Sequence, residues 1–311
     1  MPRRSWCALM LLAFCACQFS IAKDYKGFNF MNDKLETSIK FKLINDLVII
    51  PVKINTDTEV NLVLDTGGRS VVLFGNNFRK TFACIEQKAF LNGYGRNRSK
   101  TADISLDNTV QLGDVLGKGI SILITNGRYF FPYDGETKIH GIIGYQIFSR
   151  FVVTIDYKNE MITLTEPDFY RPPEDYSSMD LLLKDTKPYI KMDYKITTNE
   201  STHGFFHIDT GSSREVLLFV RENEEKLPSA RVRRCGIGKG LNGGISGYRG
   251  YKSSLIFENM KIITPYFVVK RDFSKREMEH AKGSIGSALL KDFTIVLDYV
   301  NEKFYYREKD S

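Results

Sequence analysis

The 311-residue sequence predicts an all-β protein made of two similar lobes with a cleft between them. Three observations lead to this prediction: one short motif occurs twice, a second landmark follows each copy, and long stretches with helical periodicity are scarce. Both copies of the motif lie between short apolar runs bounded by Gly or Ser, which are typical of buried strands.

The repeated motif is Asp-Thr-Gly, at Asp65-Thr66-Gly67 and at Asp209-Thr210-Gly211. The flanking apolar runs are 60–64 and 71–74 in the first half, and 204–208 and 216–219 in the second. We interpret each copy as strand, tight turn, strand, because Gly permits a backbone path that a side chain would block. Each Asp is therefore expected on a rigid, buried turn.

A second landmark follows each motif. The segment 141–160, which begins Gly-Ile-Ile-Gly, aligns without a gap with the segment 283–302, which begins Gly-Ser-Ile-Gly. The second Gly of this landmark lies 79 positions after Asp65 in the first half and 77 positions after Asp209 in the second. Matched landmarks at matched spacing indicate a duplicated unit, whereas one Asp-Thr-Gly alone would also suit an ordinary turn.

The two aspartates define the predicted chemistry. Two carboxyl groups held at about hydrogen-bond distance cannot both ionise comfortably, so the pair keeps one proton and titrates as a unit. The ionised member then acts as a base toward a water molecule, while the protonated member hydrogen-bonds a peptide carbonyl oxygen. This chemistry requires neither a metal nor a nucleophilic side chain, and we expect no cofactor.

In these motifs the chain resembles the retropepsin-like and pepsin-like aspartic proteases, with both lobes fused in one polypeptide. The resemblance covers nearly all of the mature chain. Ile142-Ile143-Gly144 matches the family's apolar-apolar-Gly strand fully, and Ser284-Ile285-Gly286 has Ser in one apolar place. The resemblance implies the acid-protease fold of two β-barrel lobes, with Asp65 and Asp209 as the catalytic pair in an interlobe cleft.

The resemblance also implies support within the catalytic loops. The supporting residues are Thr66, Gly67, Thr210, Gly211 and Ser212. In the family the two Thr hydroxyls cross beneath the aspartates to bond the opposite loop, so both are expected to hold the site rather than to react. After the triplet the halves differ, because Ser212 is able to hydrogen-bond its Asp and Gly68 is not. We therefore expect the two aspartates to be inequivalent.

Each half is rich in Gly where a hairpin would cover the cleft. The flap candidates are Gly93, Tyr94 and Gly95 in the first half, and Gly236, Ile237 and Gly238 in the second. A mobile lid that excludes water suits the predicted chemistry. A plain exposed hairpin or surface loop is the alternative for each, and the sequence does not say which flap dominates.

Other polar residues have ordinary explanations. Asp156 and Asp298 each end a β-rich run and lead into a turn with Asn and Glu, so we expect hairpin starts rather than catalysis. The four His residues show no paired metal spacing, so no metal site is expected.

The N-terminus predicts export. Arg3 and Arg4 precede a short apolar core and then Ser20-Ile21-Ala22, which is the pattern of a secretory signal peptide cleaved after Ala22. The alternative is a bacterial lipobox at Cys17, which would tether the protein to a membrane; ordinary cleavage is preferred because Phe14 stands where Leu is usual. A periplasmic, cell-envelope or secreted location is expected.

The mature chain is mildly basic. Loss of residues 1–22 removes two arginines and no acid, which lowers the formal net charge from +7 to +5. Lys and Arg are spread among acids, so no nucleic-acid partner is expected. Cys84 and Cys235 remain, and an exported setting permits a disulfide between them without implying one.

The expected organisation is a signal peptide at 1–22, an N-terminal lobe at 23–167, a linker at 168–178 and a C-terminal lobe at 179–311. The linker is placed where Pro and charged residues interrupt the β pattern. Short helices are expected at 145–149, 219–226 and 287–291.

Together these features predict an aspartic endopeptidase that cleaves a peptide or protein substrate. A monomer is expected, because one chain carries both aspartates. The alternative is a catalytically silent peptide-binding or envelope protein that retains the fold.

Overall fold

The computed structural model describes residues 26–91, 93, 95, 100–126, 135–196, 201–221, 232–257, 260–271 and 281–309. Within these ranges the chain forms 22 strands and three helices of four residues each, so the predicted all-β fold is confirmed. None of the helices in the described ranges is long and apolar enough to cross a membrane. The predicted signal peptide, with Cys17, lies outside the described residues.

The first half contributes the following elements in chain order: β1 Gly27–Phe30, β2 Glu36–Lys40, β3 Lys42–Ile44, β4 Leu47–Ile54, β5 Thr58–Leu64, β6 Val71–Phe74, α1 Phe78–Thr81, β7 Ile85–Leu91, β8 Lys100–Leu112, β9 Val115–Thr125, β10 Gly141–Ile143, α2 Tyr145–Phe148, β11 Val152–Asp156 and β12 Met161–Thr165.

The second half contributes β13 Ser177–Lys184, β14 Lys187–Lys195, β15 Ser201–Asp209, β16 Val216–Arg221, β17 Arg233–Gly240, β18 Gly243–Phe257, β19 Met260–Arg271, β20 Ala281–Gly286, α3 Ser287–Leu290, β21 Phe293–Asp298 and β22 Lys303–Glu308.

The two halves repeat one strand topology. In the first half, β10 pairs parallel with β5 and antiparallel with β6, and β6 pairs parallel with β9. In the second half, β20 pairs parallel with β15 and antiparallel with β16, and β16 pairs parallel with β19. The sheets therefore carry the internal repeat that the sequence spacing predicts.

One sheet joins the two halves. It continues the second-half sheet, whose β14 pairs with β13, and from there its strands run in the order β13, β22, β21, β11, β12, β2. The halves meet where β11 pairs antiparallel with β21, with Ile155 opposite Ile295. The segment 166–176 connects β12 to β13. The shared sheet ties the lobes together by backbone hydrogen bonds as well as by that covalent connection.

Side-chain alternation along the strands separates the main core from the cleft. In β5, Leu62 and Leu64 belong to the main apolar core, whereas Val63 belongs to a small separate apolar cluster. Successive side chains of a strand point to opposite faces, so Asp65 follows on the face of Val63 rather than in the core. The main core draws on both halves, with Phe148 and Phe206 both fully buried.

Of the three short helices predicted from the sequence, two are confirmed and one is wrong over its described part. Helices α2 and α3 begin where the sequence predicts them. The helix predicted at 219–226 is wrong over its described part, because residues 219–221 belong to β16 and pair with 269–271 of β19. Pairing with a strand that lies far away in sequence overrides the local helical pattern there.

Asp156 and Asp298 start hairpins, as predicted. Asp156 Oδ1 accepts hydrogen bonds from the N–H groups of Lys158 and Asn159, both at 3.0 Å. Asp298 Oδ1 accepts one from the Asn301 N–H, also at 3.0 Å. Both carboxylates are thus used by their own turns. The disulfide left open by the sequence is absent, since Cys84 and Cys235 are free thiols.

Candidate active site

The two Asp-Thr-Gly loops have similar backbone contacts. Asp65 follows β5, and its N–H donates to the Ile143 carbonyl at 2.8 Å, while the Gly68 N–H donates to the Asp65 carbonyl at 3.0 Å. Asp209 ends β15, and its carbonyl accepts the Ser212 N–H at 3.1 Å. Each Asp is therefore fixed on a hydrogen-bonded turn at the end of a strand.

The Thr residues of the two loops bond each other across the lobes. The Thr66 N–H donates to Thr210 Oγ1 at 3.0 Å, and the Thr210 N–H donates to Thr66 Oγ1 at 3.1 Å. The Thr66 hydroxyl donates to the Ile208 carbonyl at 2.6 Å, and the Thr210 hydroxyl donates to the Leu64 carbonyl at 2.7 Å. These four buried bonds are the cross-lobe contacts expected of the two Thr residues.

Glycine lets the backbone approach closely around each Asp. A Cβ atom on Gly211 would lie 2.5 Å from Asp65 Cγ, and one on Gly144 would lie 1.9 Å from the Asp65 carbonyl oxygen. Contacts this short leave no room for a side chain. The Asp65 carboxyl group therefore packs directly against the second Asp-Thr-Gly loop.

Burial dominates the electrostatics of the carboxyl pair. It raises the pKa of Asp65, and burial together with the nearby charge of Asp65 raises the pKa of Asp209. The positive charge of Lys187 and backbone N–H groups act in the opposite direction on both pKa values. Because the net direction is upward for both, the pair holds a proton at pH values where isolated carboxyl groups are ionised.

His207 is a neighbour of the pair that sequence reasoning missed. Its Nδ1 lies 3.9 Å from Asp209 Oδ2, and its side chain is 5% exposed. Burial, with a contribution from Lys187, lowers the pKa of His207 well below its ordinary value, so the ring is neutral. The available signal was its position two residues before Asp209 on a strand, which places both side chains on one face.

The predicted role of Ser212 is not what the structure shows. Its Oγ accepts the Arg214 N–H at 3.3 Å, and the described hydrogen bonds include none from it to Asp209. A second missed residue is Ser287, whose Oγ donates to the Thr210 carbonyl at 2.9 Å. The surroundings of the two aspartates also differ in that His207 lies beside Asp209, whereas the apolar Val63 holds the equivalent position before Asp65. Over the described ranges, no group of three His, Cys, Asp or Glu side chains is arranged to hold a metal ion.

Two hairpins, β7–β8 and β17–β18, meet near their ends. Asn242 Nδ2 donates to the Gly93 carbonyl at 3.1 Å. A Cβ atom on Gly93 would lie 2.6 Å from Leu241 Cβ, and one on Gly95 would lie 2.2 Å from the Asn242 carbonyl carbon. Each lobe therefore supplies one hairpin, and the two touch each other.

The flap candidates fall in different places. Gly93 and Gly95 lie at the hairpin contact, and Tyr94 lies outside the described residues. Gly236, Ile237 and Gly238 lie within β17, before its turn at Leu241 and Asn242. Leu241 and Asn242 were missed, because their sequence gives no sign of a contact with the other lobe.

Comparison with known proteins agrees with this architecture. No protein-family model and no curated protein matches the sequence. Among solved structures, the chain is similar to an aspartic proteinase from Irpex lacteus, with a TM-score of 0.55 over 88% of this chain and 98% of that one. The sequence identity is 13%, a level that establishes the fold and leaves the chemistry to this chain's own residues. The chain therefore has the two-lobed aspartic protease fold.

The cross-lobe Thr bonds generate a stability prediction. We expect Thr66→Val or Thr210→Val to lower the free energy of unfolding by about 1–3 kcal/mol, because each leaves buried backbone groups without a partner. The double variant should lose less than the sum, since both hydroxyls serve one contact. Urea unfolding measures this, with Thr56→Val, whose hydroxyl bonds the exposed Asp57, as the control. Losses no larger than the control's would contradict the assignment.

Proposed function

We propose that the chain is an aspartic endopeptidase that hydrolyses peptide bonds with a water molecule activated between Asp65 and Asp209. The observation that carries the proposal is the partly buried carboxyl pair, whose members both have raised pKa values and sit on loops bonded to each other through Thr66 and Thr210. Placing two carboxyl groups together out of water opposes their ionisation, so the arrangement supports a role for a shared proton.

The proposed reaction follows from that single proton. The ionised carboxylate removes a proton from the water, and the water oxygen attacks the peptide carbonyl carbon. The protonated carboxyl group hydrogen-bonds the carbonyl oxygen as it becomes tetrahedral. Collapse of this intermediate breaks the C–N bond, and a proton passes to the leaving amine. The pair returns to its singly protonated state, so neither aspartate is consumed.

The two hairpins supply the proposed lid. Their contact through Gly93, Leu241 and Asn242 supports a covered cleft, in which bulk water is kept from the reacting groups. A substrate would then enter by separation of the hairpins, as in other enzymes whose loops close over the reaction.

The proposed setting of the reaction comes from the sequence. We propose that the protein is exported and acts on peptides or proteins in the periplasm, at the cell envelope or outside the cell. It would work as a monomer, with lipid attachment at Cys17 as the alternative to ordinary cleavage after Ala22.

Removal of either carboxyl group should abolish turnover. We expect Asp65→Asn and Asp209→Asn each to reduce cleavage of a denatured protein by about a thousandfold or more, because an amide keeps the shape but cannot share the proton. Asp107→Asn is the matched control, since Asp107 is exposed and its positive φ of 59° suits Asn. Substantial cleavage by either site variant would rule out the pair, and a hydroxyl-containing transition-state analogue should block the wild type.

The shared proton also sets the pH dependence. We expect a bell-shaped rate profile with an acidic to near-neutral optimum, because the base is lost when both carboxyl groups are protonated and the acid is lost when both are ionised. A rate that climbs steadily into alkaline pH would point to another mechanism.

The raised pKa of Asp209, about 7, also predicts a change in stability. A carboxyl group whose pKa is raised by folding stabilises the folded state below its unfolded pKa, about 4, and this contribution is lost as pH rises from there to the folded pKa. We therefore expect Asp209→Asn to gain stability relative to wild type between about pH 4 and about pH 7 and to keep that gain at higher pH, as urea unfolding at several pH values measures.

A further inference from the structure

The repeated sheets allow the two walls of the cleft to be compared position by position. In the first lobe, one cross-strand row through β8, β9, β6, β10, β5 and β4 contains Ile104, Leu123, Val72, Ile142, Val63 and Ile49. In the second lobe, the equivalent row through β18, β19, β16, β20, β15 and β14 contains Arg249, Phe267, Leu217, Ser284, His207 and Tyr189. The first row is entirely apolar, whereas four positions of the second are polar.

These rows lie beside the carboxyl pair. Val63 and His207 each precede their Asp by two residues on a strand, so both rows share the face of the aspartates. The difference continues at the next position of that face, where the first lobe has Leu47 and the second has Lys187. The two positions are equivalent, because each residue pairs across its hairpin with the residue three positions before it. The positive charge of Lys187 acts on Asp65, Asp209 and His207.

Two members of the polar row each have one buried polar atom without a hydrogen-bond partner among the described residues. His207 is 4% exposed and Ser284 is 1% exposed. Neither His207 Nε2 nor Ser284 Oγ has a hydrogen-bond partner among the described residues. Buried polar atoms are normally paired, so unsatisfied ones next to a cleft indicate that a ligand or water completes the site. The twin positions Val63 and Ile142 carry no such requirement.

A cavity adjoins this row on the second lobe. Its volume is about 280 Å³, and its lining includes Arg214, Arg249, Phe267 and Ser213, with Asn45 reaching over from the first lobe. The guanidinium carbon of Arg214 lies 4.8 Å from the Phe267 ring centroid, and that of Arg249 lies 5.8 Å from it. Asn45 Nδ2 donates to Ser213 Oγ at 3.0 Å, which places the cavity between the lobes, close to the second catalytic loop.

The two arginines that line the cavity are available to bind an anion. Arg214 Nε donates to the Ile237 carbonyl, and neither Arg214 nor Arg249 forms an ion pair with a carboxylate among the described residues. Two acids also line the cavity, and both lie near Lys291: Asp46 Oδ1 is 2.7 Å from Lys291 Nζ, and the charge of Glu215 acts on the same amine. An incoming carboxylate would meet two guanidinium groups held over one aromatic ring, with the Glu215 carboxyl group on the same lining.

We infer that the second-lobe wall of the cleft is a specificity subsite for an acidic side chain of the substrate, whereas the first-lobe wall accepts an apolar one. A carboxylate only accepts hydrogen bonds, and Arg presents donors in a fork that matches it. The inference deepens the proposed function and rests on it in one respect, since the substrate must lie across the carboxyl pair.

The test uses ligands whose register is fixed. Four hexapeptide analogues carry a hydroxyethylene group in place of the scissile bond, so that the hydroxyl seats on the aspartates. Glu or Gln stands on one side of the hydroxyl and Leu on the other, in both orders. Calorimetry at low salt should show that one Glu ligand binds about tenfold more tightly than its Gln counterpart, an advantage that decreases at high salt.

Matched variants show which residues cause the tighter binding of the Glu ligand. Arg249→Ile installs the twin residue Ile104 and should remove the Glu advantage, and Lys187→Leu, which installs Leu47, should reduce it. Lys252→Ile removes the same charge from an exposed position on the same strand and should leave the advantage intact. Equal binding of Glu and Gln in both orders, binding of none of the four ligands, or an advantage that survives in Arg249→Ile would overturn the inference.

Protein cleavage is scored separately, so that the two proposals fail in different ways. Cleavage of a denatured protein without any Glu advantage would leave the endopeptidase intact and refute the acidic subsite. A Glu advantage in a chain that cleaves nothing would support the subsite and refute the catalytic proposal.

Discussion

The reciprocal hydrogen bonds between Thr66 and Thr210 are the constraint on which the rest of the site depends. Each hydroxyl donates to a carbonyl of the opposite lobe and accepts the N–H of the other Thr, so the two loops are fixed together below the aspartates. Burying two carboxyl groups side by side is unfavourable when both are ionised, and a loop free to move would separate them. The Thr pair, with Gly211 admitting the Asp65 carboxyl group, holds them together and so produces the raised pKa values.

The frame around the two aspartates is symmetric, but its side chains are not. Both lobes have the same parallel and antiparallel pairings around their Asp-Thr-Gly loops, and those pairings position Asp65 and Asp209. The side chains that face the cleft do not take part in this backbone pairing and can differ between the lobes. One wall is apolar, and the other carries His207 and Lys187 close to the aspartates, so a symmetric frame has an asymmetric cleft surface.

The sequence was sufficient for features with a local signature. The Asp-Thr-Gly turns, the Gly144 and Gly286 strands and the hairpins at Asp156 and Asp298 each depend on residues close together in the chain. What it could not provide depends on register between distant strands. Residues 219–221 are strand because β19 lies beside them, and Ser284 lies opposite His207 because β20 pairs with β15. The hairpin contact at Asn242 likewise joins residues 149 positions apart.

The central claim is that one chain builds one complete carboxyl pair from its two halves, which the shared sheet and the connecting segment hold at high local concentration. The most direct measurement mixes equal amounts of the Asp65→Asn and Asp209→Asn proteins and follows cleavage of a denatured protein over a range of total concentrations. If each site forms within one chain, the mixture shows no more activity than either variant alone at every concentration. Activity that returns on mixing and increases with concentration would show that the pair forms between chains, and would contradict the account.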